Sequence, residues 1–232
     1  MMPAAVALTD TGQIRERNED SFLLDNGASL FAVADGMGGH AAGDVASQTA
    51  IAAFAAAFAE TRSVVIAMKA ANRAVIERGN ADPARAGMGT TLTAVHITGD
   101  AALVAHVGDS RLYRLRAGRL EQLTRDHTVA DEMIERGTLT RIEAMLHPAN
   151  SMLTRSLGSR ADVAVDELQE KLQTGDVLML CSDGLTSMVT DADIAAVLQQ
   201  QAKSLDRKAA ELIEAATLRG GVDNITVVLI TV

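Results

Sequence analysis

Thr91-Leu92-Thr93-Ala94-Val95-His96-Ile97, the pair Gly99-Asp100, and Ala102-Leu103-Val104-Ala105-His106-Val107 stand near the middle of the chain as two apolar-rich runs about a turn. The first run alternates in side-chain character, the two-residue period of a strand, and Gly-Asp turns the chain into the second, so the stretch reads as an antiparallel hairpin. Leu112-Tyr113-Arg114-Leu115, followed by Ala117-Gly118, extends it on paper into an antiparallel meander. Upstream the period changes. From Gly43 to Glu60, Ile51, Phe54, Ala55 and Phe58 recur at three- and four-residue steps, and Val64 or Val65, Met68, Ala71 and Val75 repeat the pattern up to Gly79, which predicts two helices. Downstream, Val163-Ala164-Val165 and Val177-Leu178-Met179-Leu180 read as strands. Thr190 with Asp193 opens a helix whose apolar stripe is Ile194, Val197 and Leu198. Leu205, Ala209, Leu212, Ile213 and Ala216 mark another helix, and Ile225 to Ile230 is a run of strand formers suited to a central strand. Paired helices and strands in hairpins predict an α+β fold with helices outside antiparallel sheets, not a parallel doubly wound sheet.

The chain has 232 residues, 48% hydrophobic and 22% charged, with no Gly/Ser/Pro-rich linker and no repeat, so one domain spanning 1–232 is expected. Within it, 126–160 is polar and mixed, its short helical patterns broken near Gly137, and it reads as a mobile flap over one end of the fold. With 21 basic against 30 acidic residues the net charge is −9, which argues against nucleic acid or an anionic membrane as partner. The single cysteine, Cys181, excludes an internal disulfide framework and a Cys-rich zinc site. Met1-Met2-Pro3-Ala4 does not read as a secretion signal, and the most apolar stretch, Ile51 to Ala59, falls short of the roughly 20 residues a bilayer needs. A cytoplasmic, monomeric protein is the expectation.

Four segments place an aspartate where an apolar run ends, three of them next to glycine and the fourth two residues after one. They are Phe31-Ala32-Val33-Ala34-Asp35-Gly36, Val104-Ala105-His106-Val107-Gly108-Asp109, Leu178-Met179-Leu180-Cys181-Ser182-Asp183-Gly184 and Gly220-Gly221-Val222-Asp223-Asn224. Glu19-Asp20 adds further acid after Arg15 and Asn18. Singly, each Asp-Gly is a turn. Gathered at strand ends, several carboxylates would repel one another unless cations sat between them. Hard divalent ions take carboxylate and carbonyl oxygens, so magnesium or manganese fits the donor set, and the absence of His-x-x-x-His or Cys-x-x-Cys pairing disfavours zinc or haem.

These residues carry a resemblance. Arg15-Glu16-Arg17-Asn18-Glu19-Asp20, Asp35-Gly36-Met37-Gly38-Gly39-His40, Gly89-Thr90-Thr91, Val107-Gly108-Asp109-Ser110-Arg111, Cys181-Ser182-Asp183-Gly184-Leu185 and Asp223-Asn224-Ile225-Thr226 stand in the order found in PP2C-type metal-dependent serine/threonine phosphatases. Thr124-Arg125-Asp126-His127 and Leu153 to Gly158 resemble that family's middle segment, and the likeness runs from about Asp10 to Val232. The Asp-Gly-Met-Gly-Gly-His spelling is similar to the bacterial branch, whose members oppose Hanks-type kinases. The resemblance implies a central β-sandwich of two antiparallel sheets with helices on both outer faces and two Mn2+ or Mg2+ ions in a cleft at one end. It implies that Asp35 bridges the ions, that Gly36 offers its carbonyl, and that Asp183 and Asp223 complete one ion's protein ligands. Glu19 would lie beside the second ion, Asp20 would hold metal-bound water, and Asp109 with Asp183 would form a weaker third site. Arg15 would grip the substrate phosphate. Phosphorylated proteins, a serine/threonine kinase among them, would be the partners.

Two such ions can lower the pKa of a shared water and clamp an in-line displacement at phosphorus, so a bridging hydroxide would attack phosphoserine or phosphothreonine directly. His40 could protonate the leaving group; Met37 stands where some relatives place a histidine directly after Asp-Gly. Cys181 reads as a buried, inert thiol and His106 as a satisfied core side chain, while spacing leaves His127 and His147 open as substrate contacts. Two other readings stand beside the phosphatase: a PP2C-like module that binds a partner without catalysis, and a phosphohydrolase with a small-molecule or single dedicated substrate.

Overall fold

The computed structural model describes residues 3–38 and 42–232, so His40 lies outside the described residues. In chain order the strands are β1 (Ala4–Asp10), β2 (Asp20–Asp25), β3 (Leu30–Met37), β4 (Gly89–Thr90), β5 (Leu92–Thr98), β6 (Ala101–Val107), β7 (Arg111–Arg116), β8 (Arg119–Gln122), β9 (Asp166–Lys171), β10 (Val177–Cys181) and β11 (Ile225–Thr231). The helices are α1 (Gly43–Thr61), α2 (Val64–Asn80), α3 (Val129–Glu135), α4 (Arg141–Met145), α5 (Asp183–Thr186), α6 (Asp191–Leu198) and α7 (Leu205–Leu218).

The strands form two antiparallel sheets, one ordered β1-β11-β10-β7-β8 and the other β2-β3-β5-β6-β9, with β4 joined to β3. Because side chains alternate across a strand, each central strand feeds two cores. Phe31 and Val33 of β3, Val95 and Ile97 of β5, and Val104 of β6 meet Leu112, Leu178, Leu180, Val228 and Ile230 between the sheets. The intervening residues face helices. Ala32, Ala34, Leu92, Ala94 and Ala105 pack under Phe54 and Phe58 of α1 and Met68 and Val75 of α2. On the other side, Tyr113, Met179, Ile225, Val227 and Leu229 pack under Ile194 of α6 and Leu212 of α7. This is the four-layer sandwich expected, and the run from Val227 to Ile230 is apolar throughout because both of its faces are covered.

Local chemistry sets the helix limits. Ser63 caps α2 by accepting from the Ile66 N–H at 3.3 Å, and Thr190 and Ser204 cap α6 and α7 in the same way. α1 stops at Arg62, whose backbone turns left-handed at φ 55°. No helix among the described residues is long and apolar enough to cross a membrane.

Three expectations need correction. The meander does not continue past Val107: β5 and β6 pair in one sheet, whereas β7 pairs with β8 and β10 in the other. The crossing is made at Gly108, with φ +114°, where an added Cβ would stand 2.5 Å from the Thr91 side chain. Val163-Ala164-Val165 is not a strand. Val163 is buried in the helix-side core, and the pairing with β6 starts only at Asp166, opposite His106. Asp35 does not follow a strand end either, because β3 runs on through Gly36 and Met37 to pair with β4. The segment between β8 and β9 carries only α3 and α4, separated by a break at Gly137 (φ 70°), and exposes Ile142, Leu146 and Met152.

Candidate active site

At one end of the sandwich the inward-facing rows change from apolar to polar. On β3 the row Phe31, Val33 continues to Asp35; on β10, Leu178 and Leu180 lead to Ser182; on β11, Ile230 and Val228 lead to Thr226 and Asn224. Asp20 of β2 sits directly opposite Asp35 in the β2–β3 register, which brings two carboxylates onto one face as cross-strand neighbours. Across the sandwich, the hydroxyls of Ser182 and Thr226 both donate to Asp20 Oδ2, at 2.7 and 2.6 Å. Asp183, the first residue of α5, reaches hydrogen-bonding contact with Asp35. Strands distant in sequence thus deliver acids to one place.

The electrostatics follow from that crowding. Burial, then the charges of Asp20, Asp183, Asp109 and Asp223, hold the Asp35 carboxyl well above the ordinary carboxylate range. Asp20 is pushed up to about 7 by burial and by Asp183 and Asp223, against the pull of its two hydroxyl donors. Asp109 is pushed up to about 8 by burial and by Asp183 and Asp126. Asp183 is raised by burial and by Asp223.

Arg15 sits half-exposed at the mouth, its guanidinium donating to Asp223 Oδ2 at 2.7 Å. The carboxyl of Glu19 accepts from the Gly43 backbone at the start of α1, and burial followed by the charge of Asp44 leaves its pKa raised. Gly36 is pressed into the same place: a Cβ there would lie 2.0 Å from the Gly43 carbonyl oxygen and 2.6 Å from that of Glu19. Any side chain at 36 would push α1 off the site.

The donor set fits hard divalent cations. Asp20 Oδ1 and Asp183 Oδ1 are buried without a hydrogen-bond partner, an uncompensated cost that a cation would remove. Among the described residues no three acidic, His or Cys side chains are already turned around one point as an ion would hold them.

Several supporting residues carry no role in the sequence reading. Thr91 Oγ1 accepts from the Asp35 N–H at 2.9 Å and pairs with Ser110 Oγ at 2.7 Å, which ties the Asp35 and Asp109 segments together. Asn224 donates to the carbonyls of Thr11 and Arg17, both at 2.9 Å, and accepts from the Glu19 N–H at 2.8 Å, so one amide pins the loop that carries Arg15 and Glu19. The inward position of Thr226, Ser182 and Asn224 at strand ends was the available signal. Asn224→Ala should cost about 2 kcal/mol through three part-buried backbone groups left unpaired, lowering Tm by roughly 4–8 °C, with KM rising more than kcat falls. Calorimetry and steady-state kinetics check this; an unchanged KM would detach the loop from substrate binding.

Cys181 is fully buried with its thiol pushed up to about 12 by burial, as expected of an inert core residue. His106 is buried between Thr93 Oγ1 and the Arg125 carbonyl, each at 2.8 Å, again as expected. His127 is also buried, which removes it as a substrate contact.

Comparison with known proteins gives a consistent picture. The family profile described as protein phosphatase 2C matches residues 13–218. The serine/threonine phosphatase stp of Listeria welshimeri is 39% identical, over 96% of this chain and 93% of its own length. The crystal structure of the Mycobacterium tuberculosis serine/threonine phosphatase PstP/Ppp superposes with a TM-score of 0.92 at 39% identity, covering 100% of this chain and 99% of that one. A structure of the catalytic domain of PstP in complex with two manganese ions superposes with a TM-score of 0.89 at 38% identity, covering 99% and 97%.

Proposed function

Since this chain belongs to the protein phosphatase 2C family and is a metal-dependent protein serine/threonine phosphatase, we propose that Asp35, the Gly36 carbonyl, Asp183, Asp223, Glu19 and, through water, Asp20 hold two divalent cations, with Asp109 and Asp183 serving a third. The observation that carries this assignment is the cross-strand pair Asp20–Asp35, joined by Asp183, with Asp20 Oδ1 and Asp183 Oδ1 buried and without a hydrogen-bond partner. Bound divalent cations supply Lewis-acid charge that activates water and offsets the charge developing at phosphorus. The chain's own residues do the rest. Ser182 and Thr226 fix Asp20 by two charge-assisted hydrogen bonds, and Thr91 fixes the Asp35 backbone, so the acids keep their places when ionised. Arg15 holds Asp223 with one guanidinium nitrogen and has further donors to offer a phosphate at the mouth.

Phosphorylated proteins are the substrates, and a cytoplasmic serine/threonine kinase is the further partner proposed. A monomeric enzyme is the reading proposed. The segment 126–160, with its exposed Ile142 and Leu146, is assigned as the flap that meets the substrate protein. Manganese is the ion to test first, because a PstP catalytic domain holds two.

The test is hydrolysis of a phosphothreonine peptide with added manganese, with and without chelator. Turnover that vanishes on chelation is expected, and chelator-resistant turnover overturns the assignment. Arg15→Ala should lower kcat/KM by about 10–100-fold, the value of a charge-assisted hydrogen bond of about 1.5–3 kcal/mol. An unaltered kcat/KM would remove Arg15 from the phosphate.

A further inference from the structure

We infer that His127 is a positioning residue for Asp109: it clamps the adjacent Gly108 and ties that clamp to both roots of the 126–160 segment. This rests on the reading of Asp109 as a cation ligand. The Gly108 N–H donates to His127 Nδ1 at 3.1 Å, and the His127 N–H donates to the Gly108 carbonyl at 2.8 Å. A reciprocal pair of this kind fixes the peptide on either side of Gly108, the residue whose left-handed backbone aims Asp109 out of β6 and into the acidic cluster. The neighbouring Thr91 and Ser110 hydroxyls hold the far side of the same turn.

The donation from Gly108 settles the ring's tautomer. Nδ1 accepts, so Nε2 carries the proton and donates it to Asp166 Oδ2 at 3.1 Å. Arg155 in turn donates to Asp166 Oδ1 at 2.5 Å, and the Thr154 N–H donates to the His127 carbonyl at 2.8 Å. The segment's first root, at His127, and its second therefore meet on one residue, Thr154 at the His127 backbone carbonyl and Arg155, through Asp166, at its buried imidazole. His106 backs that ring at a centroid distance of 4.6 Å. A displacement of either root moves the ring, and the ring moves Gly108 and Asp109. Asp109 itself makes no contact with the segment's tip in this chain of bonds; the coupling runs through the Gly108 peptide.

Two variants separate the clamp from mere packing. In His127→Asn the side-chain oxygen stands near the Nδ1 position and keeps an acceptor for Gly108. In His127→Gln the amide reaches the Nε2 position and keeps a donor for Asp166, but leaves the Gly108 N–H unpaired. Hydrogen exchange at the Gly108 amide, followed by NMR in cation-free protein, should accelerate at least tenfold in His127→Gln and stay near wild type in His127→Asn. Manganese calorimetry without substrate should show the weakest binding class loosened by about 10-fold or more in His127→Gln, the usual cost of losing an outer-shell partner, and largely restored in His127→Asn. Equal losses in both variants, or unchanged exchange and binding in His127→Gln, would overturn the proposal. Asp109→Asn is the control for the underlying reading. If that variant binds manganese as wild type does, Asp109 is not a ligand, and the Gly108 exchange rates alone decide whether the clamp exists.

Discussion

Asp35→Asn is expected to lower kcat by about 10³-fold or more while the protein keeps its fold, because an amide cannot replace the central anion of a two-cation site worth several kcal/mol to the transition state. The same substitution should raise Tm in cation-free protein at pH 8. Burial and the charges of Asp20, Asp183, Asp109 and Asp223 hold the Asp35 carboxyl well above its unfolded-state range, so it costs stability at alkaline pH, whereas an amide is neutral and can donate to those neighbours. Loss of activity together with gained apo stability is the signature of a residue strained for function. An inactive variant that melts lower than wild type at pH 8 without cations would instead mark Asp35 as a structural residue, and near-normal turnover would remove it from the chemistry.

The stability of the cation-free protein should fall as pH rises. Asp20 and Asp109 titrate from an ordinary 3.8 up to about 7 and about 8 in the folded chain. A carboxyl with a raised folded-state pKa keeps a proton that the unfolded chain has already lost. Its contribution is therefore complete below about pH 4 and is lost progressively until about pH 8, levelling off beyond. Cations reverse the trend, since they take the place of those protons. Manganese at about 100 times its dissociation constant should add about 2.7 kcal/mol, or roughly 5–10 °C in Tm for a chain of this length. The gain should be larger at pH 8 than at pH 6. A manganese shift that is equal at the two values, or larger at the lower one, would show that these carboxyls do not exchange protons for the ion.

How much of this was legible in the sequence depended on burial. Val227 to Ile230 and Val177 to Leu180 announced themselves because central strands covered on both faces are apolar without interruption. The helices were legible because Phe54, Phe58, Met68 and Val75 keep a helical period over one core. The edge strands were not: β1, β2, β8 and β9 present one face to solvent, and β9 reads Asp-Glu-Leu-Gln-Glu-Lys, with Leu168 alone as its apolar signal. Sheet membership was hidden too, since Leu112 to Leu115 alternates equally well in either sheet and only the left-handed Gly108 sends it across. At the site, the acids stood out as Asp-Gly punctuation, and their convergence was legible only through the resemblance. Their supports, Thr91, Ser182, Asn224 and Thr226, look like ordinary strand and turn residues until the inward row of each strand is followed to the end where it becomes polar. His127 stood out only within the Thr124-Arg125-Asp126-His127 likeness and as an open substrate contact; its place beside Gly108 and Asp166 is supplied only by the closed sandwich.

Anomalous scattering from crystals grown with manganese tests the central claim most directly. Two strong peaks flanking the Asp35 carboxylate, one within bonding distance of Asp183 and Asp223 and the other beside Glu19, are the result expected here. No peak at Asp35, or manganese held elsewhere while the protein still hydrolyses a phosphothreonine peptide, would contradict it.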